Sequence, residues 1–305
     1  MRILQTDWVN NKKINSGGKL MFNQIAIDQS LLKSLVTLGS IIEARDKYTG
    51  GHVWRVGQYA RLLGNSMHLK DEALFLLELG GVIHDIGKIG TPDAILNKPD
   101  KLSDDEYDIM KKHAVLGATL VKNHPLELLV VDTVSDHHER LDGKGYPLPK
   151  SETELTLHAR IMSVADAFDA MTSERPYRKG MNPDKAISIL KENIGTQFDP
   201  EVVRHMGLLF EKGALSETLY HAGFGRKLLS CPACGPVIAP TSKHKDGNHI
   251  NCPACGGDYI IHKHGDSFEI VFTENILNQY EPVADEDAID YIIKVSPKKI
   301  KLPRR

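Results

Sequence analysis

His84-Asp85-Ile86-Gly87-Lys88-Ile89-Gly90 follows an apolar run in which Ala73, Leu74, Leu77, Val82 and Ile83 recur at helical spacing. Recurrence every three or four residues marks one buried helix face. The spacing predicts a helix that ends near Gly87 and delivers an adjacent imidazole and carboxylate into the interior. Either group buried without a partner is costly, so other polar groups must come to meet them. Upstream, Val53, Val56, Ala60 and Leu63 predict a second helix beside His52, and Leu31, Leu32, Leu35, Leu38, Ile41 and Ile42 predict another from Asp28. Downstream, Ser103 and Glu106 can form a capping box that satisfies two free N–H groups, which opens a helix running to about Lys122 and carrying His113. Further helices are expected from Leu126 to about His138, from Leu157 to Thr172 and from Pro183 to about Glu192. Asp142-Gly143-Lys144-Gly145 and Pro147 form a turn between the first two. No convincing alternating strand precedes residue 225.

The 305 residues suit one large domain and a small one. With 38 basic against 40 acidic residues the formal charge is −2, which gives no global attraction to nucleic acid or to a membrane surface. No segment approaches the ~20 unbroken apolar residues of a membrane span, and the N-terminus lacks a signal-peptide pattern. A cytoplasmic chain is expected. All four cysteines fall in one stretch, as Cys231-x-x-Cys234 and Cys252-x-x-Cys255, the spacing of a four-thiolate structural zinc site. Short β-like runs at 258–262 and 267–272 flank a His-Gly-Asp turn. The expected organisation is an irregular arm over 1–27, a mainly α domain over 28–225, a small β zinc-ribbon-like unit over 226–280 and a solvated tail over 281–305.

His52, His84, Asp85, His113, His137, His138 and Asp166 all fall where the helical pattern turns inward. Such a dense set needs a common explanation, and a metal cluster supplies one. Adjacent pairs such as His84-Asp85 and His137-His138 let neighbouring side chains diverge toward two ions, with the carboxylate bridging them. Imidazole and carboxylate donors suit iron, manganese or zinc. Single histidines elsewhere, His68, His124, His158 and His205, read as surface or packing residues.

Together with Arg45-Asp46-Lys47-Tyr48-Thr49-Gly50-Gly51-His52, with residues 137–147 (His137-His138-Glu139-Arg140-Leu141-Asp142-Gly143-Lys144-Gly145-Tyr146-Pro147), with Ala165-Asp166-Ala167-Phe168-Asp169-Ala170-Met171-Thr172 and with Arg175-Pro176-Tyr177-Arg178, the 84–90 stretch resembles the HD-GYP family of cyclic di-GMP phosphodiesterases over roughly residues 28–210. The resemblance implies an HD-type helical bundle whose two divalent ions, iron or manganese, are held by the seven residues above, with Asp85 bridging. Some members bind a third ion through a Glu one helical turn before the first His. Here Tyr48 holds that position, with Glu43 and Asp46 nearby, so a two-metal site is expected. The resemblance also implies that Lys88 contacts phosphate and that Tyr146, Asp169, Arg175 and Arg178 face the nucleotide.

The chemistry expected of such a site follows from charge. A phosphodiester repels hydroxide, so a nucleophile must form near neutral pH and the growing negative charge must be offset. In-line attack of a metal-bridging hydroxide on cyclic di-GMP would give linear pGpG, with GMP as a further product. Two rival readings stand beside this one: hydrolysis of another nucleotide such as cyclic GMP-AMP, and a non-catalytic cyclic dinucleotide receptor. A diguanylate cyclase domain or another protein, and a second copy of the chain, are candidate partners by family analogy alone.

Overall fold

The computed structural model describes residues 22–174, 178–265, 267–277 and 284–303. Strand β1 (Phe22–Ala26) leads into helix α1 (Gln29–Arg45), whose N-cap Asp28 accepts from the backbone N–H groups of Ser30 and Leu31. Helices α2 (His52–Ser66) and α3 (Asp71–Ile83) follow. The His-Asp pair then turns into a 3-10 segment, Ile86–Gly90. After the single turn α4 (Asp93–Leu96) comes α5 (Asp104–Val121), opened by the expected Ser103/Glu106 capping box. The stretch expected as one helix to His138 is instead a 3-10 turn, Glu127–Leu129, and the short α6 (Val131–Asp136). Helices α7 (Leu157–Thr172) and α8 (Pro183–Glu192) keep the boundaries their sequences suggest. Helix α9 (Pro200–Glu211) is additional, although Asp199 caps it and proline stands at its first position.

The apolar face of α1 is rotated from its expected position. Leu32, Leu35, Val36 and Ile42 are buried, while Leu38 and Ile41 are 49% and 39% exposed. Gly39 sets the rotation, because a Cβ there would stand 2.8 Å from the Val82 carbonyl of α3. Two apolar cores result. One gathers Leu32, Leu35, Val82, Ile83, Val130 and Val134 among α1, α3 and α6. The other gathers Tyr59, Leu63, Ile161, Phe168, Leu190 and Met206 among α2, α7, α8 and α9.

Beyond α9 the chain is mostly β. Strands β2 (His221–Gly223) and β3 (Arg226–Lys227) pair, as do β4 (Leu229–Cys231) and β5 (Gly235–Ile238). Strands β6 (His249–Asn251), β7 (Gly257–His264) and β8 (Ser267–Ile276) form an antiparallel sheet over a third small core that includes Val237, Ile250, Tyr259 and Ile261.

The segment expected to be a solvated tail is structured. Helix α10 (Glu286–Val295) buries Ile289 and Ile292 in the first core, and β9 (Lys299–Pro303) pairs antiparallel with β1 so that Ile25 lies opposite Ile300. The last six residues of the expected arm are therefore an ordered strand and its turn. The lysines of 298–301 drew attention to charge, whereas the buried Ile300 and Leu302 alternate with them on the other face.

Candidate metal centre

The donors arrive from separate elements at the boundary between the two helical cores. His52 begins α2, His84 and Asp85 follow α3, His113 lies in α5, His137 and His138 follow α6, and Asp166 lies in α7. Gly87 makes this convergence feasible. A Cβ there would fall 1.8 Å from the His113 carbonyl and 2.5 Å from the Gly117 nitrogen, so only glycine lets the turn lie flush on α5.

Two donor triads form, His52 with His84 and Asp85, and His113 with His137 and His138. Asp85 addresses both. Its Oδ2 lies 3.3 Å from His84 Nε2 and 3.7 Å from His52 Nε2, and its Oδ1 lies 3.4 Å from His113 Nε2 and 4.0 Å from His137 Nε2. Asp166 Oδ1 joins the first triad, 3.5 Å from His52 Nε2. All seven sequence-derived donors are thus brought together.

Hydrogen bonds at the far side of the rings fix which nitrogen faces inward. His84 Nδ1 donates to Gly81 O at 2.8 Å, His113 Nδ1 to Met110 O at 2.8 Å, His137 Nδ1 to Thr133 O at 2.9 Å, and His52 Nδ1 to Asp169 Oδ2 at 2.8 Å. With Nδ1 donating, each Nε2 is the nitrogen turned toward the centre, where an ion would take its lone pair, the arrangement that orients imidazole ligands. Two consequences identify a cation site. His113 Nε2 and His137 Nε2 lie 3.2 Å apart, two lone pairs facing each other, which is close to the ~3.0–3.4 Å expected of nitrogens about 2.1 Å from a shared ion. His84 Nε2 is buried without a hydrogen-bond partner. The donor set fits a divalent pair.

The two sides differ electrostatically. Burial, reinforced by neighbouring imidazoles, holds His137 and His138 well below the ordinary histidine pKa, so they are neutral donors. Burial opposes charge on His52 as well, but Asp169 and Asp85 push its pKa up to about 9. That side carries the carboxylates and the larger attraction for a cation. Burial also opposes ionisation of Asp85, yet Lys88 and His84 hold its carboxyl well below the usual range.

Lys88 Nζ lies 2.8 Å from Asp85 Oδ2 and 3.2 Å from Asp46 Oδ2, at the edge of an open cleft of about 510 Å³. Tyr48, Tyr107, Tyr146 and Lys101 also line it. Tyr146 stacks on His138 with ring centroids 4.7 Å apart and planes 28° from parallel. Its loop is closed from below by Glu139, whose Oε1 accepts from Leu148 N at 2.6 Å, and by Lys150 Nζ, 2.7 Å from Asp136.

Two expected nucleotide contacts are placed elsewhere. Asp169 is 1% exposed and is paired with Arg55 and His52, so it supports the centre from behind. Arg178 donates to the carbonyls of Ala170 and Met171 at 2.6 and 2.9 Å and so caps the end of α7. Arg175 lies outside the described residues.

The four cysteines also converge, with Cys231 Sγ and Cys255 Sγ 3.7 Å apart and no disulfide. Thiolates about 2.3 Å from one tetrahedral ion lie about 3.8 Å apart. Tyr259 donates its hydroxyl to Cys231 Sγ at 3.1 Å.

A mainly helical domain that brings two candidate metal-binding triads together around Asp85 is an HD-type domain. The HD domain pattern matches residues 37–202, more than half of the chain, and the chain belongs to that family. Among curated relatives, a 3′3′-cGAMP-specific phosphodiesterase of Vibrio cholerae is 39% identical over 179 residues, covering 58% of this chain and 39% of its own. A cyclic di-GMP phosphodiesterase of Pseudomonas aeruginosa is 39% identical over 181 residues, covering 58% and 44%, and one of Thermotoga maritima is 37% identical over 175 residues, covering 57% and 48%. The chain therefore spans less than half the length of these relatives. Among solved structures, an HD-GYP-type protein of Bdellovibrio bacteriovorus aligns with a TM-score of 0.47 at 22% identity, covering 54% of this chain and 53% of its own. No helix among the described residues is long and apolar enough to cross a membrane.

Proposed function

We propose that the chain is a metal-dependent phosphodiesterase of the HD-GYP type that opens cyclic di-GMP to linear pGpG, with GMP the product of a second cut. The observation that carries this reading is the split of the donors into two triads sharing Asp85 at the floor of an open cleft. Bound there, a pair of iron or manganese ions supplies the Lewis acidity that makes water nucleophilic near neutral pH and offsets charge on the scissile phosphate. The residues of the chain do the rest. The four oriented imidazoles hold their lone pairs in place without reorganisation. Lys88 adds a positive charge at the cleft floor beside the site of the phosphate, and Tyr146 offers a ring face and hydroxyl on the rim. Burial raises the Tyr146 pKa, so that hydroxyl stays a neutral hydrogen-bond donor. Arg175 is proposed as a further nucleotide contact.

Cys231, Cys234, Cys252 and Cys255 are assigned one structural zinc on their mutual proximity, and a cytoplasmic location is proposed with it, because a four-thiolate site suits a reducing compartment. Protein partners, among them a diguanylate cyclase domain or a second copy of the chain, rest on analogy alone.

A second substrate reading is favoured by the Vibrio cholerae relative named for 3′3′-cGAMP. Purified protein loaded anaerobically with iron or manganese should convert cyclic di-GMP to pGpG, resolved by chromatography. Turnover of 3′3′-cGAMP alone would move the assignment to that substrate. Tight binding of cyclic di-GMP with no turnover under either metal would make the domain a receptor.

A further inference from the structure

In the sequence Arg55 is a lone arginine on an amphipathic helix and reads as surface charge. In the structure it is 2% exposed and lies directly behind the metal centre. Nε donates to Asp169 Oδ1 at 2.6 Å and Nη2 to Asp169 Oδ2 at 3.1 Å. The remaining N–H groups are used as well, Nη1 on the carbonyls of Gly50 at 2.8 Å and His221 at 2.9 Å, and Nη2 on Ser173 Oγ at 3.1 Å. Asp169 Oδ2 in turn accepts from His52 Nδ1. His52 and Arg55 are three residues apart on α2, as Asp166 and Asp169 are on α7, so two matched helical faces meet.

We infer that Arg55 is a positioning residue for the metal centre, acting through Asp169 to hold the His52 imidazole with Nε2 turned toward Asp85 and Asp166. This inference rests on the metal-centre reading above. A carboxylate that touched His52 alone could rotate about its side-chain bonds and release Nδ1. The guanidinium fork fixes both oxygens, and the fork itself cannot move without leaving buried carbonyls unpaired. Lysine cannot replace it, because its donors radiate from one atom and cannot span both carboxylate oxygens in a plane. Stability alone is a weak reason to bury such a pair, since well-packed apolar residues often serve as well or better.

Two measurements test this on the full chain. The first is a manganese titration followed by the electron paramagnetic resonance of the free ion. Wild-type protein should take up two ions, and Arg55→Lys should weaken one of them ~10- to 100-fold, the range seen when outer partners of ligands are lost, and leave the other unchanged. The phases are assigned with His52→Ala and His113→Ala, the affected phase being the one lost with His52. The second measurement needs no variant. In zinc-loaded protein, long-range ¹H–¹⁵N spectra should show a slowly exchanging proton on His52 Nδ1. Equal weakening of both ions in Arg55→Lys, unchanged binding of both, or a His52 that carries its proton on Nε2 would each overturn the inference while leaving the centre standing. Wild-type protein that takes up no ion would overturn the metal-centre reading and this inference with it.

Discussion

His158 lies two turns before Asp166 on the same helix, and burial pushes its pKa down to about 4 from an ordinary value near 6.5. The unfolded chain therefore binds more protons than the folded one between those two values. Its contribution to stability is complete above about pH 6.5 and is lost as pH falls toward 4, by about 3 kcal/mol for a difference of this size. His158→Leu should remove that share, so its urea midpoint should fall less between pH 7 and pH 4.5 than the wild-type midpoint does. An equal fall in both proteins would show that His158 does not titrate in this window. Tyr146 gives a prediction about substrate. One ring face covers His138, and a base stacked on the cleft side of the ring would be worth roughly 1–3 kcal/mol. Tyr146→Ala should thus raise KM for the cyclic dinucleotide about 5- to 150-fold, whereas Tyr146→Phe, which keeps the ring, should stay near wild type. Steady-state kinetics on the metal-loaded protein separate them. The seven ligand candidates were legible in the sequence because histidine and aspartate carry their chemistry with them and a cluster of them has few bland explanations. Arg55 and Asp169 were not legible in their roles, because those roles are set by partners far away in the chain, His221 O and His52 among them, and Glu139 was not because its role depends on how the loop to Leu148 folds back on it.

The contact between the 3-10 turn and α5 shows what one element requires of another. Adding a methyl group at Gly87 drives it into the backbone of His113. Forced overpacking costs about 1–3 kcal/mol, and relief can come only by moving the turn that carries Asp85 away from the helix that carries His113. Gly87→Ala should therefore lower the melting temperature and weaken manganese binding together, measured by calorimetry and by ion titration. A variant that loses neither would show that the two elements have slack. At the far side of α1, Ile292 is 1% exposed in the core shared with α10. Ile292→Ala should destabilise by about 2–5 kcal/mol, read from a shifted denaturant midpoint, an effect impossible for a solvated tail. Helices α5, α7 and α8 were readable because period, caps and flanking turns agree within each segment, and α2 by its apolar period alone. Strands β1 and β9 were not, since each is five residues long and owes its existence to the other across the whole chain. Helix α10 is hard to read from sequence because its acidic start resembles a solvated segment and only Ile289 and Ile292, three apart on one face, mark its buried side.

At the scale of the molecule, the cysteine unit forms part of the wall around the loop that precedes His52. A Cβ on Gly50 would stand 2.9 Å from the Val237 carbonyl of β5, and one on Gly51 would stand 2.6 Å from Ala222 Cα of β2. Burial together with the nearby thiols of Cys234 and Cys252 raises the pKa of Tyr48, which lines the cleft. Helix α10 braces the arrangement from outside, since Asp287 at its start pairs with Arg226 at 3.0 Å and accepts from Ser242 N at 2.7 Å, while Asp285 N donates to Ser40 Oγ on α1 at 2.6 Å. The third core is small, so an ion held by the thiolates, as proposed, would supply much of the folding free energy of residues 229–277. The double variant Cys234→Ser, Cys252→Ser should then lose about one equivalent of zinc by elemental analysis. Limited proteolysis should open the β region first and leave a resistant helical fragment, because among the described residues the two helical cores share no apolar residue with the third. Ion binding should respond unequally. The His52 triad loses the backing of β5 and should bind manganese more weakly, whereas the His113 triad, built on α5 and the end of α6, should keep its affinity. Loss of zinc with both manganese sites unchanged would mean that the loop of 46–51 is held by the helices alone and that the cysteine unit merely rests against it.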